Sequence, residues 1–271
     1  MALSHDDIGP SVMGIVNVTP DSFFAATRTQ VREAAVARGL ELFAHGCDIV
    51  DVGGESTRPG AQEVALDEEL ARVLDVVATL AVHGPVSIDT RKPEVAAAAV
   101  AAGAVVVNDV SGTLIEVAGE LGVGYVAMHS QGTPATMQVA PHYDDVLGEV
   151  LATLADMATR ARAAGVAQLW LDPGIGFGKS VEHNLSLVAH CSDLVALARH
   201  YDAGVLIGTS RKRFLGALGP ETLDVDERLE GSIATEAWAL LSGVAMIRVH
   251  DVPAAVQLRD VLARPLSEVG S

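Results

Sequence analysis

Residues 12–18 read Val-Met-Gly-Ile-Val-Asn-Val, an apolar run that carries an asparagine near its end and leads into a Thr-Pro-Asp-Ser turn. Its nearly continuous apolar character is typical of a strand that is covered on both faces, as in a parallel sheet. Runs of this kind recur along the chain, and their number and spacing decide the fold.

Seven further apolar runs follow the first, and longer segments of helical period separate them. The eight runs occupy residues 12–18, 47–53, 85–90, 104–109, 124–130, 168–174, 204–210 and 245–251. The helical segments include 31–44, 67–82, 93–102, 144–164, 181–200 and 227–242. Eight strand candidates that alternate with helices predict a (β/α)8 TIM barrel of the α/β class. An open doubly wound sheet is the alternative, although it rarely needs eight evenly spaced units.

Composition and length limit the possible classes of protein. No linker or low-complexity stretch divides the 271 residues, so we expect one domain over 1–271 with its core at about 12–264. The net charge of −17 argues against general binding of nucleic acid or of an anionic membrane, because both need a broad basic surface. Two cysteines, Cys47 and Cys191, and the lack of a signal-peptide pattern predict a soluble cytoplasmic protein with free thiols.

Every predicted strand ends in at least one polar or ionisable residue. These residues are Asn17, Asp51 with Glu55, Asp89, Asn108 with Asp109, His129, Asp172, Ser210 with Arg211 and Lys212, and Arg248 with His250. In a parallel barrel the loops after the strands form the active site. Some of these residues are expected only to cap helices. Capping does not explain four of them, which are among the last residues of apolar strands, where an unpaired charge is costly. These four are Asp89, Asn108, Asp172 and Arg248.

The few cations of this acidic chain are concentrated at the same strand ends. They are Arg58, Lys179, Arg211, Lys212, Arg213 and Arg248, out of 18 lysines and arginines. The loops after strands 7 and 8 are the usual phosphate site of this architecture, so the Ser-Arg-Lys-Arg run at 210–213 favours a phosphate or pyrophosphate site. A solvated basic helix start is the alternative.

Two glycine-rich loops stand out. The loop after the second strand, around residues 53–60, is long and polar. The loop after the sixth strand reads Asp-Pro-Gly-Ile-Gly-Phe-Gly-Lys-Ser at 172–180, but three residues separate Gly174 from Gly178 where a nucleotide P-loop needs four. We therefore interpret this loop as a close backbone approach to a flat ligand, with Phe177 as a stacking face and Lys179 as a charge.

Seven motifs, in order along residues 12–255, resemble dihydropteroate synthase. They read NVTPDSF, DVGGESTRPGA, SIDTRKPEVA, NDVSG, DPGIGFGKSVEHN, GTSRKRFLG and RVHDV. Members of this family are transferases of folate biosynthesis that join 6-hydroxymethyl-7,8-dihydropterin pyrophosphate to p-aminobenzoate and release pyrophosphate. The resemblance implies a TIM barrel that dimerises, uses Mg²⁺, and is a sulfonamide target.

The resemblance also implies residue roles. It assigns pterin binding to Asp89, Asn108, Met128, Asp172, Gly208 and Lys212, and the p-aminobenzoate or sulfonamide pocket to Thr57, Arg58, Pro59, Phe177 and Ser210. It assigns pyrophosphate binding to Asn17, Arg58, Arg248 and His250, with Asn17 also as the Mg²⁺ ligand, and catalysis to Asp21, Arg58, Lys212, Arg248 and His250. Met128 is almost as readily a core methionine, and for His129 we expect a structural role.

The family's reaction, as the resemblance implies it, begins with loss of pyrophosphate. A resonance-stabilised pterin methylene cation remains, and the neutral arylamine attacks it. No side-chain nucleophile is required.

The first loop departs from the family pattern, which commonly continues Asp-Ser-Phe-Ser-Asp-Gly-Gly, because here Phe24 is followed by Ala25 and Ala26. The sequence therefore predicts a first loop that closes less well, unless Asp21 or another register compensates. A catalytically weak pterin-binding paralogue with a regulatory or assembly role is one rival function. A methyltetrahydrofolate-dependent methyltransferase is the other, but it needs no pyrophosphate clamp.

Overall fold

Eight parallel strands close into a barrel in which each strand pairs with the next and β1 pairs with β8. A computed structural model of the chain describes residues 10–19, 28–56, 61–132, 137 and 140–263. The strands are β1 (Ser11–Asn17), β2 (Ile49–Gly53), β3 (Val86–Asp89), β4 (Val106–Asp109), β5 (Gly124–Met128), β6 (Leu169–Asp172), β7 (Gly204–Ile207) and β8 (Met246–Val249). Each predicted run overlaps one of these strands, so the predicted (β/α)8 barrel is confirmed.

Helices surround the barrel and connect its strands. They are α1 (Arg28–Ala44), α2 (Leu66–Leu80), α3 (Pro93–Ala101), α4 (Ile115–Leu121), α5 (Val146–Ala163), α6 (Val181–Ala189), α7 (Cys191–His200), α8 (Leu229–Leu241) and α9 (Val252–Leu262). The single helix predicted over 181–200 is wrong, because His190, with φ −104° and ψ 28°, leaves helical geometry and separates α6 from α7. None of the described helices is both long and apolar enough to cross a membrane.

The inward-facing side chains of the strands form an apolar layer and, nearer the carboxyl ends of the strands, a more polar one. Met13, Ile49, Val106, Val126, Trp170, Leu206 and Met246 form one buried cluster. Successive side chains of a strand point to opposite faces. The residues two positions further along therefore face the same interior, nearer the carboxyl ends of the strands. They are Ile15, Asp51, Asn108, Met128, Asp172 and Arg248 on their strands and Gly208 directly after β7, so four of the seven are polar.

The alternate residues of the strands face outward and pack against the helices. Val50, Val107 and Tyr125 belong to this larger outer core. Asp109 also faces outward: its carboxylate accepts hydrogen bonds from the Tyr125 hydroxyl at 2.8 Å and from the backbone N–H groups of Thr113 and Leu114, each at 2.8 Å. Asp109 thus orders the chain that leads into α4, although it bonds residues before the helix and does not cap it.

Asp109→Ala tests this division of roles. The substitution leaves several donors near the start of α4 without their acceptor, and we expect it to lower the free energy of unfolding by about 2–4 kcal/mol. Tyr125→Phe removes only one of these donors and should cost about 1 kcal/mol. Urea unfolding followed by circular dichroism measures both changes. Equal losses in the two variants would contradict the role given to Asp109.

Candidate active site

A guanidinium at the polar end of the barrel links two buried carboxylates. Arg248 on β8 donates from Nε to Asp51 Oδ2 at 2.7 Å and from Nη2 to Asp89 Oδ2 at 2.9 Å. Asn108 donates from Nδ2 to the same Asp51 oxygen at 2.8 Å. These four side chains come from four strands, so the closure of the barrel brings them together.

Asp51 is the member of this group to which the sequence assigned no role. It is fully buried in the middle of β2. The signal that could have identified it is its position two residues after Ile49, which places it at the level of the other inward polar residues. Nothing in the sequence alone shows that its partner is Arg248, which lies on a distant strand.

Three buried polar atoms have no hydrogen-bond partner within the described part of the chain. They are Asp51 Oδ1, Asp89 Oδ1 and Ser87 Oγ. A buried acceptor without a donor costs about 1–3 kcal/mol. Such atoms at the open end of a barrel indicate a ligand that supplies donors.

Burial also disfavours the charged forms of two of the predicted pterin-binding residues. It raises the pKa of Asp89, although the nearby Arg248 guanidinium opposes the change. It raises the pKa of Asp172 as well, with Lys212 acting against it. Burial acts to lower the pKa of Arg248, but the carboxylates of Asp51 and Asp89 outweigh it and raise the pKa above its usual value. The guanidinium therefore stays charged. The site therefore holds carboxyl groups whose ionisation burial opposes and the nearby cations Arg248 and Lys212 favour.

The loop after β6, residues 173–179, which we call the β6–α6 loop, is shaped by its glycines. Gly174, with φ +66°, lies so close to the backbone of His129 that a Cβ added to the glycine would be 1.8 Å from the His129 carbonyl oxygen. Its N–H donates to Asp172 Oδ1 at 2.7 Å. The loop thus turns back beside β5 and directs one Asp172 oxygen toward its own backbone.

Lys212 extends across the β6–α6 loop from the segment after β7. Its ammonium bonds the carbonyl oxygen of Ile175 and lies 4.4 Å from the centre of the Phe177 ring. Burial lowers the pKa of Lys212 to about 8, while Asp172 opposes this change. Phe177 and Lys212, predicted from separate motifs, therefore meet at one place.

Lys179 differs from its prediction as a charge offered to a ligand. It is only 3% exposed, and its ammonium contacts His129 Nδ1 at 2.9 Å and the carbonyl oxygens of Gly174 at 3.0 Å and Phe177 at 3.1 Å. The sequence could not show that this side chain turns back under its own loop. His129, for which we expected a structural role, is its partner.

The predicted phosphate segment after β7 uses part of its charge internally. Arg211 forms two hydrogen bonds to Asp251, at 2.8 and 2.6 Å, and one to Asp226 at 2.8 Å. A short 3₁₀ helix, Arg213–Ala217, follows instead of the α-helix start that the sequence suggested. Ser210 is buried, and its hydroxyl accepts from the backbone N–H of His250 at 3.1 Å. The ends of β7 and β8 are joined by this contact.

The remaining predicted residues lie at the rim or outside the described chain. Asn17 ends β1 with an exposed side chain, Met128 is buried at the end of β5, and Gly208 follows β7 beside Arg248. Asp21, Ala25, Thr57, Arg58 and Pro59 lie outside the described residues. Among the residues that the structure describes, no three His, Cys, Asp or Glu side chains are grouped in a way that could hold a metal ion.

Known proteins match both the sequence and the fold. Residues 13–250 match the pterin binding enzyme family. The dihydropteroate synthase of Escherichia coli K12 is 43% identical over 277 aligned residues, which cover 98% of this chain and 93% of that protein.

Two solved structures share the barrel. Xanthomonas albilineans dihydropteroate synthase with 4-aminobenzoic acid is 44% identical, with a TM-score of 0.86 and coverage of 96% of this chain and 94% of that one. Thermus thermophilus dihydropteroate synthase in complex with 6HMPPP is 39% identical, with a TM-score of 0.81 and coverage of 97% and 96%. A match of this extent in sequence and in fold shows that the chain belongs to the dihydropteroate synthase family of pterin-binding enzymes.

Proposed function

We propose that the polar end of the barrel joins 6-hydroxymethyl-7,8-dihydropterin pyrophosphate to p-aminobenzoate, giving 7,8-dihydropteroate and pyrophosphate. The protein is a transferase of folate biosynthesis, as its membership of the family indicates. The site is assigned from two buried acceptors that have no partner in the described part of the chain, Asp51 Oδ1 and Asp89 Oδ1. Both lie beside the guanidinium of Arg248. A pterin would supply the donor that Asp89 Oδ1 needs.

The pterin would bind edge-on to the inward polar layer. Its 2-aminopyrimidinone edge presents N–H donors, which suit Asp89 Oδ1 and Asp172 as acceptors. Asn108 and Lys212 would pair with the remaining ring atoms, while Met128 and Gly208 would border the ring. A site of matched donors and acceptors rejects an analogue that lacks one group, because a buried partner is then left unpaired.

The pyrophosphate would lie toward β8. Asp51 and Asp89 use two of the five N–H donors of Arg248, and the guanidinium offers the others to phosphate oxygens. His250, whose backbone is fixed by Ser210 and by an Arg38 contact to its carbonyl oxygen at 3.0 Å, would hold the same group. Charge that develops on the leaving group is stabilised by such fixed donors.

A magnesium ion would bind at Asn17. Mg²⁺ usually keeps several waters and takes few protein ligands together with substrate phosphates. One exposed amide oxygen at the end of β1 fits this mode, and the described residues offer no all-protein cage of carboxylates and imidazoles. When bound there, the ion would supply positive charge to the departing pyrophosphate.

The chain's own residues would then direct the second half of the reaction. The carboxylates of the polar layer stabilise a cationic pterin methylene group, and Phe177 with Lys212 and Ser210 would orient p-aminobenzoate. Thr57, Arg58 and Pro59 would complete that pocket, with Arg58 also at the pyrophosphate and Asp21 at the closing first loop. The binding-only paralogue is not favoured, because the relatives matched over nearly the whole chain are synthases.

We further propose a homodimer in the cytoplasm, with the whole chain as one domain. Trp238 and Leu241 are exposed on α8, which is an apolar surface suited to a subunit interface. Both thiols, Cys47 and Cys191, are buried and unbridged, in keeping with a reducing compartment.

Pyrophosphate release tests the function. With Mg²⁺, the pterin pyrophosphate and p-aminobenzoate together should give release and a stoichiometric amount of dihydropteroate. Sustained release should require p-aminobenzoate, because only its attack on the pterin cation clears the site for another turnover. Binding of the pterin without any release of pyrophosphate would contradict a synthase.

Asp172→Asn tests the pterin site by binding. The change replaces a buried acceptor by a group that also donates, so we expect the affinity for the pterin to fall about 10–100-fold. Calorimetric titration with the pterin pyrophosphate measures this loss. Asp67→Asn, which is the same change at an exposed position on α2, is the control and should leave the affinity unchanged. Equal affinities in the two variants would show that Asp172 does not contribute to binding of the pterin.

The pH dependence of kcat/KM tests the charge of Lys212. Its pKa is lowered to about 8, so the ammonium is present below that pH and is lost above it. Because kcat/KM reports groups of the free enzyme, we expect it to fall as the pH rises through about 8. Arginine stays protonated over this range, so the fall should be missing from the profile of Lys212→Arg, whatever its absolute rate. The same fall in both proteins would assign the titration to another group.

A further inference from the structure

The ammonium group of Lys179 has all its hydrogen-bonding capacity used inside the protein. It has three N–H donors, and three acceptors surround it: His129 Nδ1 at 2.9 Å and the carbonyl oxygens of Gly174 at 3.0 Å and Phe177 at 3.1 Å. The residue is 3% exposed. Lys179 therefore serves the protein rather than a ligand.

His129 is arranged to accept this bond. Burial, together with the charge of Lys179, lowers the pKa of His129 to about 4, so its ring is neutral at pH 7. With the Lys179 ammonium as the donor, the lone pair lies on Nδ1 and the proton on Nε2. The backbone N–H of His129 donates to the Asp172 carbonyl oxygen at 2.9 Å, which fixes the histidine to β6.

The β6–α6 loop depends on such partners because its glycines give it little conformational preference of its own. Gly174, Gly176 and Gly178 all have positive φ, and glycine loses more conformational freedom on ordering than any other residue. Lys179 joins the start of the loop to its end by bonding the carbonyl oxygens of both Gly174 and Phe177.

Three other side chains each hold this loop at a single residue. Tyr143 donates to the Gly178 carbonyl oxygen at 3.0 Å, and Asn184 accepts from the Gly176 N–H at 2.7 Å. Lys212 bonds the carbonyl oxygen of Ile175. The turn that presents Phe177 is closed by one backbone bond, from the Phe177 N–H to the Gly174 carbonyl oxygen at 3.0 Å, and Lys179 is the side chain that bonds the carbonyl oxygens at both of its ends.

We propose that Lys179, supported by His129 Nδ1, is a positioning residue that fixes the β6–α6 loop so that the ring of Phe177 faces Lys212 where the arylamine binds. This rests on the proposed function. A hydrogen bond to the Phe177 carbonyl oxygen acts directly on the backbone of that residue. The backbone of Asp172 is fixed in β6, and its carboxylate meets the loop at the Gly174 N–H, at the far end of the turn from Phe177. Loss of Lys179 should therefore affect p-aminobenzoate more than the pterin.

Lys179→Met tests the proposal, because methionine fills similar space without charge or donors. We expect the KM for p-aminobenzoate to rise about tenfold, as for the loss of one or two hydrogen bonds, while the Kd of the pterin pyrophosphate changes less than about threefold. Equal changes for both substrates, or no change in either, would overturn the proposal. Thermal unfolding establishes that the variant is folded.

Two histidine variants separate positioning from space filling. In His129→Asn the side-chain oxygen can occupy the place of Nδ1, whereas in His129→Gln the terminal amide reaches the place of Nε2. We expect the asparagine variant to keep the wild-type KM for p-aminobenzoate and the glutamine variant to show the rise seen with Lys179→Met. Glutamine is closer to histidine in volume, so a space-filling role predicts the opposite order and would contradict the proposal. This pair also decides the question if Lys179→Met does not fold.

The wild-type protein distinguishes the two possible failures. If it releases no pyrophosphate with both substrates, the proposed function fails. If it is active and the asparagine and glutamine variants of His129 behave alike, the function stands and the role of Lys179 is wrong.

Discussion

The ion pairs of Arg248 with Asp51 and Asp89 are the constraint on which the rest of the site depends. Two carboxylates and a guanidinium are placed inside a barrel, where each would be costly alone. They are tolerable because they neutralise one another in part and because Asn108 adds a further donor. Since these residues lie on β8, β2, β3 and β4, the arrangement exists only when the barrel is closed in this register.

The sequence predicted the fold and most of the inward polar residues for a simple physical reason. Strand periodicity is local, so the apolar runs and the residues at their ends can be recognised without knowledge of their partners. Asn108 and Asp109 show the limit, because they are adjacent and equally polar, yet one faces the interior and the other orders the chain that leads into α4. Partners that lie far apart in the chain could not be predicted: Asp51 for Arg248, His129 for Lys179, and Asp251 for Arg211.

The distribution of charge explains how an acidic protein can bind a pyrophosphate ester. The net charge is −17, but Lys212 and Arg248 lie at the polar end of the barrel, while Arg211 and Lys179 are used to fix the segments that carry Ser210 and Phe177. Cations at the site therefore divide into those that can contact substrate and those that position the groups around it. Because only a few fixed cations can contact a ligand, the site favours binding of a small anion over binding of an extended polyanion.

We expect Asp51 and Arg248 to act as one unit in substrate binding, and a double-mutant cycle measures the coupling between them. Asp51→Asn, Arg248→Gln and the double variant are titrated calorimetrically with the pterin pyrophosphate in the presence of Mg²⁺. If the carboxylate acts by holding the guanidinium, the double variant should bind about as weakly as Arg248→Gln alone, with a coupling energy of about 1.5–3 kcal/mol. Additive losses in the two single variants would show that Asp51 and Arg248 act independently, and would contradict this account.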